Sequence, residues 1–99
     1  MALTKEKLRI YQGVLDKWGA DSQINMAIEE MAELISALQH YRRNPEWKHV
    51  ATFDEVTDEI ADVEIMMEQL KYIFSVNGQL LFEIKEKKLA HVKQLLGLT

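Results

Sequence analysis

The stretch 28-IEEMAEL-34 sets three glutamates among residues that otherwise read as the apolar flank of a helix, and 58-DEIADVE-64 repeats the pattern further along. Turning the first segment by about 100° per residue gathers Ile24, Ala27, Ile28, Met31, Leu34, Ile35, Leu38 and Tyr41 into one stripe, with Glu30 at its edge and Glu33 just beyond. The second segment gathers Phe53, Val56, Ile60, Val63, Met67, Leu70 and Phe74, bordered by Glu59 and then by Asp62 and Glu55. Each stripe is therefore expected to be core, with carboxylates along the same rotational border.

The surrounding sequence supports helices and little else. Hydrophobic residues make up 47% of 99 residues, with one proline and four glycines, so long helices meet few breaks. The pattern predicts an all-α fold, an antiparallel bundle of about four helices in a single domain over residues 1–99. Thr4 is placed to cap a first helix ending near Trp18, and 17-KWGAD-21 offers a glycine stop and an aspartate cap for a second helix over 22–43. Asn44-Pro45 ends that helix, and 44-NPEWKHVAT-52 is the longest connection. A third helix, capped by Thr52 or Asp54, is expected to reach about Val76, and Asn77-Gly78 turns the chain into a fourth that ends near Leu96.

A short connection favours antiparallel neighbours. Antiparallel packing leaves both acidic borders on the same side of the helix pair, with Glu33 and Asp62 at nearly one height and Glu30 and Glu59 within about a turn. Each like-charge pair at 4 Å costs from about 1 kcal/mol in water to about 4 kcal/mol at an effective dielectric of 20. The neighbours on that face include Met26, Ala37, Met66 and Gln69, none of which neutralises the charge. A bound cation would, and oxygen ligands without cysteine or histidine suit Mg2+, or Mn2+, better than zinc. Such ions usually share their coordination sphere with substrate phosphates, which points to hydrolysis of a phosphate ester or anhydride.

Composition removes several alternatives. With 12 basic against 16 acidic residues and a net charge of -4, the chain offers no general attraction to nucleic acid or an anionic membrane. The absence of cysteine excludes disulfides and thiolate metal sites. MALTKEKLRIYQ lacks the apolar run of a signal peptide, and no window reads as a membrane span, so a cytoplasmic location is expected.

The ordered pair of IEEMAEL and DEIADVE resembles the MazG-like nucleotide pyrophosphohydrolases, of the all-α nucleoside triphosphate pyrophosphatase superfamily, whose mark is Glu-x-x-Glu followed by Glu-x-x-Asp. The likeness covers residues 18 to 75 and falls on Glu30, Glu33, Glu59 and Asp62. It implies that these four bind magnesium and carry the chemistry. The implied reaction cleaves a nucleoside triphosphate between its α and β phosphates, giving the monophosphate and pyrophosphate, in the removal of noncanonical or surplus nucleotides. A homodimer or homotetramer is implied as well. Many relatives carry lysine a few residues before the first glutamate pair, where this chain has Met26, and asparagine where Gln69 stands. Lys85 and Lys88, from 85-KEKK-88, are candidates to supply that charge to the substrate from a neighbouring subunit.

Trp18 and Gln23 precede the acidic helix and are candidates to line a base pocket, since an aromatic face stacks on any base and an amide reads its edge. Trp18 also reads as a core residue. The histidines His40, His49 and His91 share no metal-binding spacing and read as surface, while Met31, Met66 and Met67 read as core filling. Glu29 and Asp58 point away from the cleft on the helical wheel. Two rival functions remain open at this stage: a non-enzymatic helical interaction protein, which needs no divalent ion, and a nucleotide sensor that binds without turnover.

Overall fold

The computed structural model describes residues 3–43 and 50–98, the side chains of 50–52 excepted. Four helices follow in order: α1 (Lys5–Trp18), α2 (Ala20–Arg43), α3 (Val50–Ile73) and α4 (Gly78–Leu95). No strand occurs among the described residues, and the fold is all-α as expected. No helix among them is long and apolar enough to cross a membrane.

Local chemistry sets the boundaries. Thr4 caps α1 by accepting a hydrogen bond from the Lys7 amide at 3.1 Å. Gly19, at φ 85°, closes it by donating its amide to the Leu15 carbonyl at 2.9 Å. This single left-handed residue suffices for the turn, so α2 begins at Ala20 and not Ser22. Asp21 therefore lies in the first turn of α2, where its charge meets the positive end of the helix, and does not cap it. The α3 backbone is already helical at Val50, which places the expected caps Thr52 and Asp54 inside the helix. Residues 44–49 of the connection, with Asn44, Pro45 and His49, lie outside the described residues. At its other end α3 stops at Ile73, short of Val76. Ser75 turns left-handed at φ 49° there, and the Val76 amide reaches back to the Lys71 carbonyl at 2.9 Å. Asn77 then caps α4, its Oδ1 accepting from the Leu80 amide at 2.9 Å.

The centre of the molecule is the α2–α3 hairpin. Tyr41 meets Phe53 with ring centroids 6.2 Å apart, and His40 Nδ1 lies 3.6 Å from Glu55, so the end of α2 faces the start of α3 and the pair is antiparallel. The buried seam is rotated from the expected stripes. On α2 it runs through Gln23, Ala27 and Ala37, and on α3 through Met66 and Gln69, all on the carboxylate side. Ile28, Ile35 and Leu38 of α2 are exposed, as are Phe53, Ile60, Met67 and Phe74 of α3. Alanine explains the rotation on α2, because its small side chain lets two backbones approach where leucine or isoleucine would hold them apart. Of the methionines read as core, Met66 is buried, Met31 is half-buried and Met67 is exposed.

Polar bonds tie α1 to α3. The buried Tyr11 donates its hydroxyl to Glu68 at 2.6 Å, Lys7 Nζ sits 3.0 Å from the other oxygen of the same carboxylate, and Tyr72 donates to Gln12. Burial, with the adjoining carboxylate, pushes the Tyr11 phenol up to about 12. Hydrogen bonds from Tyr11 and Lys7 hold Glu68 below its ordinary value against the opposing effect of burial. α4 approaches the hairpin at its first turns, where Leu81 is half-buried, and buries no residue.

The Tyr11→Phe substitution keeps the ring and removes the bond to a charged acceptor, a change expected to cost about 1.5–3 kcal/mol. Because Glu68 is held low, the stability it contributes is present above its ordinary 4.5 and is lost as the pH falls through its lowered folded-state value. Melting of the two proteins should therefore differ at neutral pH and converge in acid. A gap that does not close in acid would show that the carboxylate is not the partner that matters.

Candidate metal centre

Glu30 and Glu33 project from α2 and Glu59 and Asp62 from α3. One oxygen from each of the four lies within 4.8 Å of the others. Three of the residues are half-buried between the helices, and Glu33 is exposed at the mouth. The alternation of residues explains the depth. Ala27, three positions before Glu30, and Ala37, seven after it, are nearly inaccessible on the same seam, so the helices close on either side of the glutamate.

This closeness works against ionisation. Loss of hydrating water, followed by the negative charges of Glu33 and Asp62, hydrogen bonding to Glu33 and the charge of Glu59, raises the Glu30 pKa. Glu59 is raised in the same way, first by desolvation, then by Glu33 and Asp62, and also by Asp58. Asp58 is exposed on the wheel as expected, yet its field reaches the cluster. The ion pairs recorded among the described residues join Lys7 to Glu68, Arg9 to Glu6 and His40 to Glu55, and none reaches these four carboxylates.

The donor set fits a hard divalent cation. Oε2 of Glu30 and Oε2 of Glu59 are shielded from solvent and have no hydrogen-bond partner. Such atoms are costly unless something positive occupies the space they face. Opposite ligands of an octahedral Mg2+ stand about 4.2 Å apart, so the four oxygens would need to close by about half an ångström.

The other expected site residues divide into two groups. Gln23 stands seven residues before Glu30 and Gln69 seven after Asp62, so the antiparallel pair brings both to the same end of the hairpin, about 10 Å along the axis from the carboxylates. Both amides are buried, at 6% and 7% exposure, and Oε1 of Gln69 lacks a partner. Trp18 lies at that end too, but it is 55% exposed and is not the core residue that one reading of the sequence expected; Lys17 rests on its ring 4.9 Å from the centroid. Lys85, by contrast, lines clefts with Lys71 and Phe82, and with Lys7, Ala61, Glu64 and Glu68, on the face of α3 turned away from the cluster. Lys88 is exposed on α4. Neither lysine joins the carboxylates of its own chain. The residues that sequence reasoning undervalued are the alanines, whose only signal was their seven- and three-residue spacing from Glu30.

No family model, curated protein or solved structure matches the chain.

A carboxyl with a raised folded-state pKa contributes stability that is full below its ordinary 4.5 and is lost as the pH rises through the raised value. With chelator present, a double Glu30→Gln, Glu59→Gln variant, whose amides donate to Glu33 and Asp62, should melt above the unsubstituted protein at neutral pH, and the gap should narrow toward pH 4.5. An equal or lower melting temperature at neutral pH would contradict the repulsion. Added Mg2+ or Mn2+ should stabilise the unsubstituted protein by about 2.7 kcal/mol at a hundredfold excess over its dissociation constant. Thermal melts insensitive to millimolar magnesium, manganese and calcium alike would remove the metal.

Proposed function

We propose that the chain is a magnesium-dependent nucleoside triphosphate pyrophosphohydrolase of MazG-like type, converting a nucleoside or deoxynucleoside triphosphate and water to the monophosphate and pyrophosphate. The observation that carries this reading is the meeting of Glu30, Glu33, Glu59 and Asp62 from two antiparallel helices, with buried oxygens on Glu30 and Glu59 left without a partner. Those four residues would hold Mg2+, with Mn2+ an alternative. Bound there, the cation supplies the positive charge that a triphosphate and its departing pyrophosphate require.

The chain itself contributes orientation and charge. Glu33 stands exposed where the triphosphate enters and is the carboxylate best placed to take a proton from the attacking water. Glu30 and Glu59 fix the depth of the site from opposite helices. Trp18 offers an exposed ring for stacking of the base, and the free Oε1 of Gln69, with the amide of Gln23 at the same end, offers groups that read a base edge. Removing noncanonical or surplus nucleotides from the cytoplasmic pool is the role such chemistry serves. Lys85 and Lys88 would act on phosphate only from another subunit.

A second reading, a nucleotide-binding protein without turnover, is favoured by one feature: no lysine or arginine among the described residues is recorded in an ion pair with the cluster. Turnover separates the two. Canonical and modified triphosphates with magnesium should release pyrophosphate, and Glu33→Gln or Asp62→Asn should abolish release while the fold survives. Glu64→Gln, exposed and outside the cluster, is the control and should retain full activity. In oxygen-18 water the label should appear in the nucleoside monophosphate, as attack at the α phosphorus requires. Label in pyrophosphate alone would mean attack at the β phosphorus, and label in orthophosphate would end the pyrophosphohydrolase assignment.

A further inference from the structure

Between the end of α3 and the start of α4 lies a cleft whose chemistry is opposite in sign to that of the carboxylates. Lys71, Val76, Gly78, Leu81, Phe82 and Lys85 line it around a volume of about 220 Å³. Both charged residues are cations, one from each helix, and no carboxylate among the described residues lines this part. The remaining wall is apolar, with Leu81 half-buried and the ring of Phe82 58% exposed. Past Lys71 and Lys85, which border both spaces, the cleft opens into a wider one of about 580 Å³ that Lys7, Glu64 and Glu68 also line. The charges there are largely spoken for. Both oxygens of Glu68 are taken, one by the Tyr11 hydroxyl and the other by Lys7, so Lys71 acts on that carboxylate only through its field. Lys85 enters none of the ion pairs recorded among the described residues. A lone exposed lysine is ordinary on a helix. This pair differs because two helices bring it to one cavity beside an aromatic ring, with no anion in contact.

We propose that this cleft is a second binding site, for a soluble phosphate monoester with an aromatic body, in which Lys71 and Lys85 hold the phosphate and Phe82 packs against the ring. A monoester carries a charge of about −1.5 to −2 at pH 7, which answers two ammonium groups where a carboxylate would answer one. Lysine meets phosphate as a point charge and needs no fixed approach, so two flexible side chains at the rim suffice. An aromatic ring laid on Phe82 gains from offset stacking and from the apolar area it covers with Val76 and Leu81. Concave, mainly apolar walls with a few polar groups to fix orientation are the general form of a small-molecule site. The site is separate from the carboxylates. Lys71 follows Asp62 by nine residues, which at about 100° per residue turns it to the opposite face of α3 and sets it about 13.5 Å along the axis. The body of α3 stands between the two, so this site needs no metal and holds its ligand whether or not the protein turns over a nucleotide.

Calorimetric titration of the full chain with phenyl phosphate and with adenosine monophosphate, in chelator so that the carboxylates hold no metal, should show saturable binding. Lys71→Gln and Lys85→Gln should each weaken it about tenfold or more, the loss of one hydrogen bond between charged groups. Lys88→Gln, exposed on the same helix and outside the cleft, should leave it unchanged. Phe82→Ala should bring the affinity for phenyl phosphate down toward that for inorganic phosphate. In the unsubstituted protein, nuclear magnetic resonance gives a reading that no folding defect can imitate: the signals of Val76, Leu81 and Phe82 should move on addition of phenyl phosphate. Absence of saturable binding overturns the proposal, as does binding that Lys71→Gln and Lys85→Gln leave intact, or signals that move only elsewhere. Binding that appears only when Mg2+ is restored belongs to the carboxylates and overturns it too. So does attachment to vesicles of phosphatidic acid without affinity for either soluble monoester.

Discussion

The approach of α2 to α3 along Ala27, Ala37 and Met66 is the contact on which the rest depends. It is unusual as a core because its middle is occupied by carboxylates. Small residues on either side bring the backbones close enough for Glu30 and Glu59 to lose their water, and that desolvation, with the repulsion of the neighbouring carboxylates, raises both pKa values. A pair of helices that preferred only to bury hydrocarbon would have met along Ile28, Ile35, Ile60 and Met67. These helices instead meet along the line that concentrates charge, so the fold stores an unfavourable interaction where a cation would relieve it.

Much of this was legible in the sequence. Two acidic elements on the same rotational border, joined by a short connection, required an antiparallel pair to bring Glu33 near Asp62, and the structure puts all four oxygens together. The cap at Thr4 followed from a side chain able to reach a free amide within one turn, whereas Asn77, read from the sequence only as part of a turn, caps α4 in the same way. The phase of the core did not follow. A helical wheel weights isoleucine and phenylalanine heavily and alanine lightly, whereas helix approach depends on what is small. Apolar residues also ring much of α3, so its wheel has no single strong direction. Trp18 illustrates the same limit: a large apolar ring is drawn toward the core by any scale, but its place at the end of α1 beside Gly19 leaves it exposed. Gln69 errs the other way, a polar side chain buried because the seam passes through it.

The two corrections have one cause. Rotating both helices toward their carboxylates uncovers the apolar rows that the sequence assigned to the core, and those rows keep their coiled-coil spacing. Of the repeat on α3, Val56, Val63 and Leu70 are half-buried, while Phe53, Ile60, Met67 and Phe74 stay exposed. A single antiparallel partner would need only half of it.

A chain built this way has little stability to spare in isolation. Its own core holds a handful of buried residues, four like charges oppose the central contact, and α4 buries none of its side chains. Whatever binds the folded form alone adds to stability by mass action, in proportion to the logarithm of its concentration over its dissociation constant. A cation on the acidic side would act in this way, on the contact of α2 and α3 where their carboxylates repel. Such stabilisation needs no conformational switch, only a hairpin whose central contact is poorly held until its charge is neutralised.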